Sequence, residues 1–133
     1  DSVRTFLNNR LEEEWGDDGY HCAVELIDES RLIGTVRIAV RDATHCSGDV
    51  GYALNENFSG KGYMTEAVQR ILQVGFNELS LQRIWATADV ENRASWRLMS
   101  RVGMQREGRL RQHKKMRGEW RDSYLYSIVK SEA

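Results

Sequence analysis

Apolar residues recur along this chain of 133 residues with two different periods, and the changes of period divide it into elements. Val3, Phe6, Leu7, Leu11 and Trp15 return every three or four positions, the spacing of one helix face, until Gly16-Asp17-Asp18-Gly19 breaks the pattern. A short amphipathic helix is therefore expected first. Segments 20–27 and 32–41 are rich in β-formers, and Val36, Ile38 and Val40 alternate against Arg37 and Arg41. With Asp28-Glu29-Ser30-Arg31 as turn residues between them, they read as an antiparallel hairpin. A third strand is expected over 49–54.

A long helix follows a polar, glycine-bearing stretch over 55–62. Met64, Ala67, Val68, Ile71, Leu72, Gly75, Phe76 and Leu79 form its apolar stripe, with Glu66, Gln69, Arg70 and Gln73 on the wet side. Ile84, Ala86, Ala88 and Val90 then alternate with Trp85, Thr87 and Asp89, marking a strand. Asn92 is placed to cap a second helix running through Val102 and closed by Gly103. Two further strands, 104–113 and 122–130, flank a turn at Arg117-Gly118-Glu119. The order αβββαβαββ joins antiparallel hairpins to one β-α-β crossover, so the expected fold is an α/β sandwich with a mixed, mostly antiparallel sheet flanked by helices. No repeat or linker interrupts it, and residues 1–133 read as one domain.

Charge narrows the function classes. Nineteen basic and twenty acidic residues leave a net charge of −1, so no global field draws the chain to nucleic acid or an anionic membrane. The apolar runs are too short to span a bilayer. Cys22 and Cys46 stand apart in segments read as strands, which suits reduced packing residues and a cytoplasmic setting better than a disulfide scaffold. His21, His45 and His113 lack metal-ligand spacing, so no metal is expected. The chain opens at Asp1 rather than Met and reads as part of a longer or processed protein.

Chemistry concentrates in Asn57-Phe58-Ser59-Gly60-Lys61-Gly62-Tyr63-Met64-Thr65. Two glycines let the backbone approach a ligand, and the helix that follows leaves its first N–H groups unpaired. Those groups and the positive end of the helix dipole suit a phosphate, with Lys61 adding a charge and Thr65 a hydroxyl. The spacing matches neither a Walker loop nor a dinucleotide-binding fingerprint. A second strand-to-helix junction lies at Asn92.

Together these two junctions resemble the GNAT acyltransferase superfamily, whose pattern is strand, [Q/R]-x-x-G-x-[G/A], helix, strand and N-x-x-[A/S]-x-x-L ending in G-[F/M]. Gly60 and Gly62 occupy its glycine positions, and Asn92, Ser95, Leu98 and Gly103 its second motif. The run Gly60-Lys61-Gly62-Tyr63-Met64-Thr65-Glu66-Ala67 is most similar to the Rim-type branch, which acetylates ribosomal-protein N-termini. Asn57 stands where Gln or Arg is usual. The family's opening strand and helix are not recognisable, which leaves the edge of the first hairpin open and makes a homodimer reasonable.

The resemblance implies acetyl-CoA as co-substrate. Its pyrophosphate would lie on the amides of Gly60, Lys61, Gly62, Tyr63 and Met64, and its pantetheine arm would pair like a strand beside Tyr52, Ala53 and Leu54, faced by Asn92. Acetyl would pass to a primary amine by direct attack through a tetrahedral intermediate; the acceptor is a ribosomal or other protein N-terminus, or a small amine. An α-amine near pKa 7.8 loses its proton at pH 7 for about 1 kcal/mol, whereas a lysine amine costs roughly 4.6. Asp49 is the candidate base, acting through a water, with Glu56 in reserve. The tyrosine acid of many relatives is replaced by Met99, and Ser95 is the implied proton donor or oxyanion ligand, with Tyr52, Tyr124 and Tyr126 as alternative phenols.

Two other classes compete. A non-catalytic acyl-CoA-binding module fits the lost tyrosine. A nucleic-acid-binding domain would rest on Arg106, Arg109, Arg111, Lys114, Lys115, Arg117, Arg121 and Trp120, but Glu107, Glu119 and Asp122 interrupt that patch, which reads better as a solvated hairpin face.

Overall fold

The computed structural model describes residues 3–11 and 19–133. Its centre is a seven-stranded sheet in the order β1-β2-β3-β4-β5-β7-β6. The strands are β1 (Val3–Leu11), β2 (Gly19–Leu26), β3 (Arg31–Asp42), β4 (Ser47–Leu54), β5 (Arg83–Asp89), β6 (Gln105–Met116) and β7 (Glu119–Val129). Helix α1 (Tyr63–Asn77) connects β4 to β5, and α2 (Arg93–Arg101) connects β5 to β6. All neighbours are antiparallel except β4 and β5, the pair joined by the α1 crossover.

The first element corrects the sequence reading. Val3, Phe6, Leu7 and Leu11 have helical spacing, yet Val3–Leu11 is a strand, paired antiparallel to β2 from Val3↔Leu26 to Leu11↔Gly19. Trp15 and the Gly16-Asp17-Asp18 break lie outside the described residues. Tertiary context explains the switch: β2 offers a row of unpaired backbone groups, and satisfying them outweighs a local helical preference worth tenths of a kcal/mol per residue. Val3 is also fixed from α1, where Glu66 Oε2 accepts its N–H at 3.0 Å. The element order is thus ββββαβαββ, and the β2 edge expected to stand open is covered by β1.

The remaining elements follow their patterns. Helix α1 buries Met64, Ala67, Val68, Ile71, Leu72, Gly75 and Phe76, the predicted stripe apart from its last member, Leu79, which lies beyond the helix and packs partly buried against the core. That stripe meets Val36 and Ile38 from β3, Val50 from β4 and Ile84 from β5 in one core. Asn92 caps α2, its side chain accepting from Ser95 N–H at 3.3 Å. The last hairpin turns at Arg117 and Gly118, both with positive φ, the geometry of a tight two-residue turn. Cys46 differs from expectation by lying in the turn before β4 rather than in a strand, with φ at 52°. Cys22 is buried, and the apolar surroundings push its thiol up from its ordinary value; both cysteines are unbridged.

Candidate functional site

Strands β4 and β5 stay paired only over Ser47↔Arg83, Gly48↔Ile84 and Asp49↔Trp85. Beyond Asp49 they separate, while β4 continues to Leu54 on its β3 side and β5 continues to Asp89 on its β7 side. A wedge therefore opens between two strands of one sheet, and β4 presents unpaired backbone to it from Val50 onward. The first turns of α1 and α2 close its wide end.

Two cavities occupy this wedge. The larger, about 790 Å³, is lined by Tyr52, Ala53 and Leu54 of β4, Gly60 and Gly62 of the loop, Tyr63, Met64 and Thr65 of α1, and Asn92 and Ser95 at α2. Its size falls within the range of small-molecule sites. Gly60 and Gly62 have φ of 76° and 79°, the left-handed region that glycine enters freely. No side chain caps α1, whose N-cap is Gly62, so the first N–H groups of that helix remain for a ligand. Asn57 and Lys61 are brought to the loop but not to the cavity wall. The N–H of Asn57 is taken by Asn55 Oδ1 at 3.0 Å, and Lys61 is exposed.

The second cavity, about 540 Å³, opens on the opposite side of the same strands. Thr35 and Arg37 of β3, Asp49 of β4, Trp85 and Thr87 of β5, and His21, His113 and Lys114 line it. Tyr52, Ala53 and Ser95 line both cavities and mark where they meet. There the Tyr52 hydroxyl lies 2.9 Å from Ser95 Oγ and donates to Ser95 O at 3.0 Å. Burial pushes the phenol above its ordinary pKa, more than the Ser95 hydrogen bond lowers it, and so keeps it protonated. Met99 is buried and has no proton to give.

Asp49 lies in β4, within the strand expected over 49–54, and lines the second cavity as a buried residue, but it is not free. Arg37 donates to both its oxygens at 3.2 Å, and Arg41 Nε donates to Oδ1 at 2.7 Å. Both carboxylate oxygens are thus engaged by guanidinium donors, an arrangement that suits a charged anchor for Arg37 and Arg41. Glu56, the reserve, lines the other cavity.

The basic hairpin is largely spoken for. Arg106 lies 3.7 Å over the Tyr124 ring and donates to the Tyr126 hydroxyl at 3.0 Å, which engages both alternative phenols. Arg109 pairs with Asp122, Arg121 with Asp89 and Glu91, and Lys115 sits over Trp120. These contacts favour a self-paired face over a nucleic-acid platform. Sequence reasoning missed Arg37, His21 and His113 as site residues, because nothing in their spacing shows which cavity they line.

Residues 1–105 match the acetyltransferase (GNAT) domain family. The chain is 39% identical over 132 residues to an uncharacterized N-acetyltransferase, YnaD, of Bacillus subtilis, covering 99% of this chain and 75% of that one. Among solved structures it is similar to a GNAT-family acetyltransferase of Bacillus anthracis, with 37% identity and a TM-score of 0.78 over 84% of this chain and 67% of that chain. It is also similar to the ribosomal-protein-S5-alanine acetyltransferase of Vibrio fischeri, with 28% identity and a TM-score of 0.80 over 86% of this chain and 63% of that chain.

Proposed function

Because the chain belongs to the GNAT acetyltransferase family, we propose that it transfers the acetyl group of acetyl-CoA to a primary amine, and that the favoured acceptor is a peptide α-amine. The observation that carries this is the wedge between β4 and β5, with one cavity on each side and a hydroxyl pair where they meet.

The residues of the larger cavity fit acetyl-CoA. Left-handed Gly60 and Gly62 and the uncapped start of α1 suit the pyrophosphate. The unpaired stretch of β4 through Tyr52, Ala53 and Leu54 suits the amide-bearing pantetheine arm, with Asn92 facing it. Bound there, acetyl-CoA supplies an activated acetyl thioester. Thr65, on the cavity wall, would add a hydroxyl to the phosphate site and Lys61, exposed on the loop, a nearby charge; Asn57 serves the loop through its turn with Asn55.

At the junction, Ser95 Oγ and Tyr52 form the proton donor for the departing thiolate, with the buried phenol as reservoir. Asp49 anchors Arg37 and Arg41 beside the acceptor cavity. That cavity supports the α-amine reading: among its described lining residues the one carboxylate, Asp49, is already paired, while Arg37 and Lys114 are cationic. A polyamine would meet like charge there, whereas a peptide offers one amine and carbonyl acceptors. The Vibrio fischeri neighbour, named for acetylating an alanine of a ribosomal protein, points the same way.

The test is calorimetry with acetyl-CoA followed by thiol release with an alanine-initiated hexapeptide and with spermidine. Saturable heat and faster turnover of the peptide are expected. No heat up to millimolar acetyl-CoA would overturn the reading. Binding without thiol release from any amine would leave an acyl-CoA-binding module in its place.

A further inference from the structure

Strand β6 loses register with β7 between Leu110 and Lys114: Leu110 faces Ser123 and Lys114 faces Arg121, so residues 111–113 oppose Asp122 alone. Gln112, in the middle, has φ at 50°, which a residue with a Cβ adopts at a cost of order 1 kcal/mol. Asp122 holds the bulge in place. Its Oδ1 accepts Gln112 N–H at 2.8 Å and its Oδ2 accepts Arg109 Nε at 2.8 Å, and these bonds lower the pKa of its carboxyl. A bulge re-aims the side chains beyond it. Here the re-aimed residues, His113 and Lys114, line the same cavity as Asp49, Tyr52 and Ser95.

His113 is also oriented. Its Nδ1 lies 3.0 Å from the Oγ of Ser123, a buried residue of β7. With Nδ1–H donating to that oxygen, Nε2 keeps its lone pair. The imidazole is solvent-open, so a proton it accepts passes to bulk water. The titratable and charged groups sharing its cavity are His21 from β2, Arg37 from β3, Asp49 and Tyr52 from β4, and Lys114. Asp49 is occupied by Arg37 and Arg41, and Arg37 and Lys114 are cations.

We propose that His113 is the catalytic base that takes the proton of the substrate amine, an assignment that rests on the acetyl-transfer reading of the site. The amine nitrogen forms its bond to the acetyl carbon and gives a proton to His113 Nε2. The carbon–sulfur bond breaks, and the thiolate takes a proton through Ser95 Oγ and Tyr52. His113 returns its proton to water, and the hydroxyl pair regains one. The net change is amine plus thioester to amide plus thiol.

His113→Asn keeps a donor for Ser123 but cannot accept a proton; His113→Ala removes both; His45→Ala, an exposed histidine off the cavity, is the control. With the alanine-initiated hexapeptide at pH 7, both His113 variants should lose about 10²-fold or more in kcat/KM, with folding unchanged by circular dichroism. Their rise in kcat/KM with pH should move upward, toward the range where the amine sheds its own proton, so that the deficit narrows at high pH. His45→Ala should match wild type. Wild-type kcat/KM and an unmoved pH limb in His113→Asn would overturn the assignment while leaving acetyl transfer intact. No thiol release by wild type would remove the transfer reading and this assignment together.

Discussion

The Tyr52–Ser95 contact joins residues 43 positions apart in sequence, 2.9 Å apart in space. Neither residue stands out in its own element, since Tyr52 reads as a strand aromatic and Ser95 as a first-turn helix residue. Their meeting places two hydroxyls side by side where the two cavities join. On the proposed acetyl-transfer reading, Tyr52→Phe removes the phenol proton but keeps the ring, and Ser95→Ala removes the hydroxyl proposed to protonate the thiolate. Each is expected to lower kcat by tenfold to a hundredfold, with little change in acetyl-CoA affinity by calorimetry, the signature of a group that acts in the transition state. The double variant should lose little more than the worse single one, because the two act as a unit. A wild-type kcat in both singles would show that the thiolate needs no acid. Asp49 carries the opposite lesson: its place in a strand was legible in the sequence, but its burial and its arginine partners were not.

At the scale of elements, the site depends on β3 and β4 lying close together. Gly48 is buried between them, and an added Cβ would come to 2.3 Å from the carbonyl oxygen of Ala39. A backbone oxygen in a strand cannot move aside as a side-chain tip would, so Gly48→Ala should destabilise the chain by about 1 to 3 kcal/mol. A shift in the urea midpoint at constant m-value would measure it; an unchanged midpoint would mean that the strands part without cost. The helices were legible because an amphipathic stripe has one solution once a core exists. The first segment was misread for the complementary reason: its apolar spacing fits a helix, but the open edge of β2 decided its conformation.

Across the whole molecule, ion pairs tie the last hairpin to the sheet. Arg83 of β5 donates to Glu107 of β6 at 2.5 and 2.8 Å, and Ser127 of β7 donates to the same carboxylate. Arg83 and Ser127 together hold Glu107 at about 2, and Arg121 with the Glu91 backbone N–H holds Asp89 at about 2. Both values lie below the ordinary carboxylate range of about 4. The folded state thus binds these protons more weakly than the unfolded chain, so the pairs stabilise fully above about pH 4.5 and are lost as pH falls toward 2. Thermal melts should be flat from pH 7 to 5 and fall below pH 4.5, and Arg83→Met should flatten part of that fall. Because these side chains are partly exposed, the effect should also shrink at high salt. A melting temperature independent of pH down to 3 would contradict the pairing.

What the sequence determined by itself is whatever depends on neighbours within a few residues: the period of each helix and strand, the cap at Asn92, the glycine turn before α1, and the two junctions that together mark the family. Such features are set by backbone geometry and local hydrogen bonds, which leave a readable spacing. Only the tertiary structure decided the strand at Val3–Leu11, the separation of β4 from β5 beyond Asp49, the meeting of Tyr52 with Ser95, the capture of Asp49 by two arginines, and the arrival of His113 in the same cavity as Asp49. Each of these joins segments distant along the chain, through edge pairing, strand divergence or a bulge. No local period records such a contact, because packing alone fixes which distant groups come within hydrogen-bond reach.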